Sequence, residues 1–276
     1  MTHTHTQTLG AASVSVITDG AVTFTPDLFP GTEPDSIARH LEQAGADAIH
    51  TNFNATLIRL GDHLVLADGG PRDLMGPDCG LLPKGLSELG VTPDQVDTLL
   101  ATHLHPDHVA GFVTPDGAAV FPNARLFVTA AEVDFWGNPD NFTGALAGAE
   151  GFAAIARAVL AAYADRLEVV GNKAAILPGL SLFDLPGHTP GHVGWRIDSD
   201  GATLLHVGDI IHAPTLQIPN PDIVIVYDLD ADTARSTRKR LLDELATDGA
   251  LFTGGHLLAP KFLRVERAGS GYRPAG

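Results

Sequence analysis

The segment LLATHLHPDHVAGF, Leu99 to Phe112, places His103, His105, Asp107 and His108 close together, directly after an apolar run. Side chains two apart in an extended segment point to the same side, so His103 and His105 can grip one ion. Pro106 turns the chain and lets Asp107 and His108 face a second position. Three further runs share the design: LSLFDLPGHTPGH carries His188, ATLLHVGD ends on Asp209, and ALFTGGH ends on His256. Each is a short apolar stretch that gives way at once to a loop with histidine or aspartate. In α/β sheets ligands gather beyond the carboxyl ends of strands, where loops on a rigid frame supply the chemistry. If these four strands are neighbours, His103, His105, Asp107, His108, His188, Asp209 and His256 converge on one place. Imidazole and carboxylate without thiolate suit zinc, iron, manganese or cobalt, and seven such residues exceed the four ligands of a closed structural zinc site. Glycines beside the clusters, among them Gly191, Gly208 and Gly255, let the backbone turn sharply or approach an ion.

The elements that must hold these residues are readable around them. SVSVITDG followed by AVTFT predicts a hairpin turning at Asp19-Gly20, and ATLIRLGDHLVLADGG predicts a second turning at Gly61-Asp62. EPDSIARHLEQAGAD has helical spacing at Ile37, Leu41 and Ala44. A glycine- and proline-rich loop spans Gly69 to Pro83. The alanine-rich segment from Ala130 to Ala164 reads as helix interrupted around Gly137 to Asn141, and DADTARSTRKRLLDELA reads as a helix capped by Asp230 or Asp232. Early hairpins followed by strands alternating with helices predict an α/β fold with mixed sheets. No repeat or linker divides the chain, so one domain over 1–276 is expected, with 1–10 as a disordered tail that carries His3 and His5. His40, His50 and His63 fall on helix or turn surfaces, and Arg235, Arg238, Lys239 and Arg240 read as the wet face of a helix.

Composition narrows the partners. Thirty-three acidic against 17 basic residues give a formal charge of -16, which repels a phosphate backbone and an anionic membrane surface. Neither nucleic acid nor membrane is expected as a partner. The one cysteine, Cys79, cannot form an internal disulfide. The opening MTHTHTQTLG lacks the basic start and apolar stretch of a signal peptide, and no run of about 18 apolar residues occurs, so a soluble cytoplasmic protein is expected.

THLHPDH, PGHTPGH, Gly208-Asp209 and the GGH at 254–256 resemble the metallo-β-lactamase superfamily of hydrolases, in order and spacing from about Thr56 to His256. The resemblance implies an αββα sandwich, two mixed sheets face to face with helices outside, and two divalent metal ions along one edge. Zinc is the first expectation, with iron, manganese or cobalt as alternatives. Carried across, His103, His105 and His188 would hold one ion, Asp107, His108 and His256 the other, and Asp209 would bridge them. FNATLIRLGDHLVLADGG, FVTAAEVDFW and HVGDIIHAPTLQIPNPDIVIVYDLD are similar to methyl parathion hydrolase and its relatives, which include organophosphate-degrading enzymes and lactonases.

That likeness implies a dinuclear hydrolase in which a metal-bridging hydroxide cleaves a lactone, carboxyl ester or phosphotriester of a small apolar molecule. Asp209 would hold the ions apart and Asp107 would assist proton transfer. Phe24, Phe29, Phe135, Trp136 and Leu216 are the expected pocket residues, His192 an outer partner of the ligands, and a homodimer the expected assembly. His206 reads as a buried structural histidine, and His212 as another outer partner. Cys79 lies away from the clusters and does not match the metal-bound cysteine of some true β-lactamases. Two alternatives stand beside this reading. Another superfamily chemistry, such as glyoxalase II-like thioester hydrolysis, finds only 20 residues after His256 for that group's helical domain. A non-catalytic metal-binding protein would have a closed site with no adjoining pocket.

Overall fold

The computed structural model describes residues 3–259 and 261–275. The first sheet runs in chain order: β1 (Thr4–Leu9), β2 (Ala12–Phe24), β3 (Ile49–Leu60), β4 (His63–Ala67), β5 (Thr98–Leu100), β6 (Arg125–Thr129) and β7 (Leu167–Val170). β1 to β4 pair antiparallel and β4 to β7 parallel. A second mixed sheet contains β8 (Ala175–Leu177), β9 (Leu180–Asp184), β10 (Val193–Ser199), β11 (Ala202–His206) and β12 (Leu251–Thr253), with only β11 and β12 parallel. β13 (Val265–Ala268) and β14 (Gly271–Pro274) form a separate hairpin. The helices are α1 (Pro34–Ala44), α2 (Leu82–Glu88), α3 (Pro106–Val109), α4 (Ala130–Gly137), α5 (Glu150–Ala162), α6 (Pro214–Gln217) and α7 (Ala231–Asp248).

Alternation along the parallel strands explains the layers. Val65, Ala67, Leu100 and Phe127 face inward onto Leu180, Leu182, Val193, Trp195 and Leu204 of the second sheet. Their neighbours Leu64, Leu66, Leu99, Leu126 and Val128 point outward onto Leu86 of α2, Trp136 of α4 and Ala153, Ala156 and Val159 of α5. Strands covered on both faces read as continuous apolar runs, which is what these are. On the far side Leu241, Leu242 and Leu245 of α7 pack against Val207 and Phe252. The result is the expected αββα sandwich of two mixed sheets.

The Gly61-Asp62 turn joins β3 to β4 with Leu60 opposite His63. The other expected hairpin is absent: β2 runs unbroken through Asp19-Gly20, with a register shift between Thr18 and Gly20 against β3. Asp19 is buried and accepts from Leu82 N at 2.5 Å and Arg72 N at 3.0 Å, so Asp-Gly serves as a bulge that ties down the 69–83 loop. Nor is the N-terminal segment a loose tail over its described part. Thr4 to Leu9 pair residue by residue with Ile17 to Ala12, and Leu9 buries in the inter-sheet core. Main-chain pairing holds it although its side chains are mostly polar; Met1 and Thr2 lie outside the described residues. His3, at the head of this segment, belongs to it, and His5 lies on β1.

α7 starts on Asp230, whose side chain accepts from Thr233 N. Lys239 and Arg240 are exposed as expected, but Arg238 is fully buried, so the basic cluster is not one wet face. Gly144–Ala162 is long and apolar enough by length and composition to cross a membrane, which departs from the expected absence of such a run. In the fold, α5 within it lays Ala153, Ala156 and Val159 into the core.

Candidate metal centre

The predicted residues come together from both sheets. His103 and His105 follow β5 of the first sheet, and Asp107 and His108 lie in α3, which Pro106 opens. His188 lies in the β9–β10 loop, Asp209 follows β11 and His256 follows β12, all in the second sheet. The four strands are thus not neighbours in one sheet; the site forms where the strand ends of two sheets meet. β3 spans the gap, since Asn52 O lies 2.8 Å from His256 Nδ1 and Asn54 Nδ2 donates to Gly254 O and Leu257 O.

Three groups of ligand-type atoms result: His103, His105 and His188 in the first, Asp107, His108, Asp209 and His256 in the second, and a third, unexpected from the sequence, in which His188 recurs with His212 and Asp228. In the first, His103 Nε2 is 3.0 Å from His105 Nδ1, and His188 Nε2 is 3.2 Å from His103 Nε2 and 2.9 Å from His105 Nδ1. In the second, Asp209 Oδ2 is 3.0 Å from His108 Nε2 and 2.9 Å from His256 Nε2, with Asp107 Oδ2 at 3.6 and 3.5 Å from the same nitrogens. Asp209 Oδ2 also lies 3.7 Å from His103 Nε2 and 3.6 Å from His188 Nε2, between the first two groups. Gly255 permits this approach: a Cβ there would sit 2.6 Å from Asp209 Oδ1.

Three buried imidazoles turned nitrogen to nitrogen cannot satisfy one another, since a neutral ring has one acceptor and a protonated ring none. Burial, followed by the neighbouring rings and only partly offset by Asp209, pushes the pKa values of His103 and His188 well below the ordinary histidine value. Burial likewise dominates at His105, where His188 adds to the fall. Neutral rings are ligand-ready rings. In the second group burial opposes charge on His108, but Asp209, Asp107 and Asp68 together outweigh it and raise its pKa well above normal. His256 is raised in the same way by Asp209. Burial would lift Asp209, yet His108, His256 and His103 hold its carboxyl well below the usual range, and Asp209 Oδ1 has no partner among the described residues. This donor set fits a pair of cations, which would replace the protons that keep the second group together.

Outer partners aim the rings. Asp228 Oδ1 lies 3.0 Å from His188 Nδ1, and Asp68 Oδ2 lies 3.0 Å from His108 Nδ1. Asp68 also accepts from Thr102 N and Oγ1, both at 2.9 Å. Behind Asp228 stands Arg238, whose Nε donates to Ile210 O and whose Nη1 donates to Pro221 O and Ile223 O. Such partners fix tautomer and ring orientation. Neither aspartate was expected from the sequence, although Asp68 ends β4 by the same strand-then-aspartate rule that singled out Asp209. Asp228 sits on an irregular stretch and carries no such signal. His192 reaches Asp209 through its backbone, accepting from Asp209 N at 2.9 Å. His206 is buried and stacked on Trp195. His212 is buried, with Nε2 3.3 Å from Asp209 Oδ2 and neither ring nitrogen in a hydrogen bond among the described residues.

A cavity of about 220 Å³ opens on this centre. Its floor is polar, made by His105, Asp107, Asp209, His212 and His256, and its walls are Val22, Phe24, Phe53, Met75, Phe152 and Tyr227. Of the expected pocket residues only Phe24 lines it. Phe29 and Leu216 are buried in the cluster under α1 and α6, and Trp136 is buried beneath His105 with Phe135 packed on the same core. Their segments run near the site but their side chains point into the core. Cys79 lies in the 69–83 loop, outside all three groups.

The metallo-β-lactamase superfamily profile matches residues 52–256. The chain belongs to that superfamily. Among solved structures it is similar to AbOPH, a hydrolase in the β-lactamase superfamily, with 30% identity, a TM-score of 0.94 and coverage of 99% of this chain and 97% of that one. It is also similar to AidC, a dizinc quorum-quenching lactonase in complex with a product, at 25% identity and a TM-score of 0.91, covering 99% and 96%. A probable metallo-hydrolase of Methanocaldococcus jannaschii is 30% identical over 78 residues, a match spanning 28% of this chain and 34% of that relative. The expected kinship with an organophosphate-hydrolase and lactonase-like group stands, as does the expectation of a metal-dependent hydrolase.

Proposed function

We propose that this superfamily chain is a dinuclear hydrolase of lactones, carboxyl esters or phosphotriesters with an apolar substituent, built as one domain. His103, His105 and His188 would hold the first ion, Asp107, His108 and His256 the second, and Asp209 both. Zinc is the first candidate. When bound, such ions supply an activated water and a Lewis acid for the ester oxygen. The observation that carries the reading is one carboxylate oxygen, Asp209 Oδ2, set between two ligand groups that form the floor of an apolar cavity.

The chain's own groups divide the remaining work. Phe24, Phe53, Phe152 and Met75 bury the apolar part of a substrate and hold its ester group over the floor, which converts an encounter into a positioned reaction. Asp107 is less buried than Asp209 and lines the cavity, where its carboxylate can take a proton from the attacking water and return it to the leaving group. An open cavity beside the groups is also what a purely structural metal protein would lack. AidC, at 25% identity, supports the lactone arm and AbOPH the broader hydrolase arm.

The test is a side-by-side assay of metal-loaded protein on a γ-lactone with an acyl chain, an aryl ester, an aryl phosphotriester and a glutathione thioester. Turnover of at least one of the first three above the thioester is expected. Activity on the thioester alone would overturn the proposal.

A further inference from the structure

We propose that Glu132 is a positioning residue that sets the spacing between the two loops carrying His103, His105 and His188. The proposal rests on the reading of those three histidines as holders of one ion.

Glu132 lies in the first turn of α4 and is fully buried. Its Oε2 accepts from Leu104 N at 2.8 Å, the peptide between His103 and His105, and from Trp136 Nε1 at 2.9 Å. Its Oε1 accepts from Gly191 N at 2.8 Å, in the loop that carries His188. One carboxylate therefore joins a loop leaving the first sheet to a loop between two strands of the second. Thr129, just before α4, closes the bracket by donating its Oγ1 hydrogen to Gly191 O at 2.9 Å. Gly191 admits this grip because a Cβ there would lie 2.4 Å from Thr129 Oγ1 and 2.7 Å from Glu132 N. Trp136, held by the same carboxylate, sets its ring edge against His105 at 5.2 Å between centroids.

The choice of glutamate is informative. An anion buried without a cationic side chain is costly, and a core needing only volume would be better served by an apolar residue. Three N–H donors converge on two oxygens, and only an acceptor-only group satisfies them all; a glutamine would turn its NH₂ toward at least one N–H. The arrangement makes sense if the separation of the loops must be held closely, and the imidazoles they carry converge to about 3 Å.

Glu132→Gln and Thr129→Val test this. Cobalt and zinc affinities of the two positions are measured by chelator competition, with ¹⁵N NMR of the histidine rings reporting which imidazoles carry the ion, and metal-free thermal stability is measured alongside. The expected result in Glu132→Gln is a 10- to 100-fold loss at the His103–His105–His188 position, with the position served by His108 and His256 changed about threefold or less. Thr129→Val, which removes one hydrogen bond without changing shape, is expected to shift the same position in the same direction by a smaller factor and decides the matter if Glu132→Gln does not fold. Parent-like affinity at that position in a folded variant overturns the proposal. So does an equal fall at both positions that tracks lost metal-free stability, which would make Glu132 a stabiliser of the fold only. If the parent protein itself binds no ion on those three histidines, the failure belongs to the metal reading and removes the proposal with it.

Discussion

Asp209→Asn keeps the shape of the side chain and removes its charge. Asp209 Oδ2 lies 2.9 Å from His256, 3.0 Å from His108, 3.3 Å from His212, 3.6 Å from His188 and 3.7 Å from His103, each measured to Nε2. At about 3 Å and an effective dielectric near 20, each of the two nearest charged pairs is worth roughly 5 kcal/mol before desolvation. Removing one partner of a buried pair leaves the other charge uncompensated, and the expected net loss is about 3–5 kcal/mol. The pH window follows from the shifts. Asp209 titrates below the ordinary 3.8, so its stabilisation is present above about pH 4 and fades as pH falls through the lowered value. His108 and His256 titrate above the ordinary 6.5, so theirs is present below that and fades as pH rises through their raised values. The deficit of the metal-free variant is therefore greatest between about pH 4 and 6.5, where chemical denaturation after chelator treatment measures it. On the proposed two-ion reading, each ion would lose a shared ligand, and the loss should exceed the ~10- to 100-fold typical of an outer partner. Elemental analysis after dialysis reads the ion count. A variant with two ions per chain and parent-like turnover would refute the shared-ligand role, and parent-like metal-free stability at pH 5–6 would refute the electrostatic reasoning.

Asp68→Asn leaves one of three donors, Thr102 N, Thr102 Oγ1 or the His108 ring, facing an NH₂ group. The expectation is a ~10- to 100-fold weaker second position, read by chelator competition, with the first position little changed. Phe152→Ala removes a cavity wall beside His105. It should cost about 1–2 kcal/mol of binding to acyl or aryl substrates, seen as a higher KM with kcat nearly kept. Asp19 is pushed up from 3.8 to about 6 chiefly by burial, against the backbone N–H groups of Leu82 and Arg72. A raised carboxyl favours the protonated folded state, so between about pH 4 and 6 the parent should lose stability relative to Asp19→Asn as pH rises, by up to ~3 kcal/mol. A pH-independent difference in paired denaturation curves would contradict that placement.

What could be read from the chain and what could not divide along a physical line. His103, His105, Asp107, His108, His188, Asp209 and His256 were legible because buried polar groups are expensive and are tolerated only with partners. Seven of them at strand ends demand a common explanation. Asp68 obeys the same rule at the end of β4 but is a single residue, and a lone aspartate before Gly-Gly reads equally well as a turn. Asp228 and Arg238 were hidden for another reason: each is unremarkable alone, and their burial becomes affordable only when the 210–228 segment folds over Arg238 and hands it carbonyls. The Asp19-Gly20 pair shows local preference overruled, since a turn signal became a bulge once Asp19 could cap the 69–83 loop. The pocket was least legible. Phe24 and Phe29 look alike in sequence, yet one lines the cavity and the other is buried under α1. An apolar side chain is satisfied by any dry surface, so its type states that it is buried and not against what. Directional groups name their partners; hydrophobic ones do not. Substrate preference, which Phe24, Phe53, Phe152 and Met75 would set, is therefore the part of this function that had to wait for the fold.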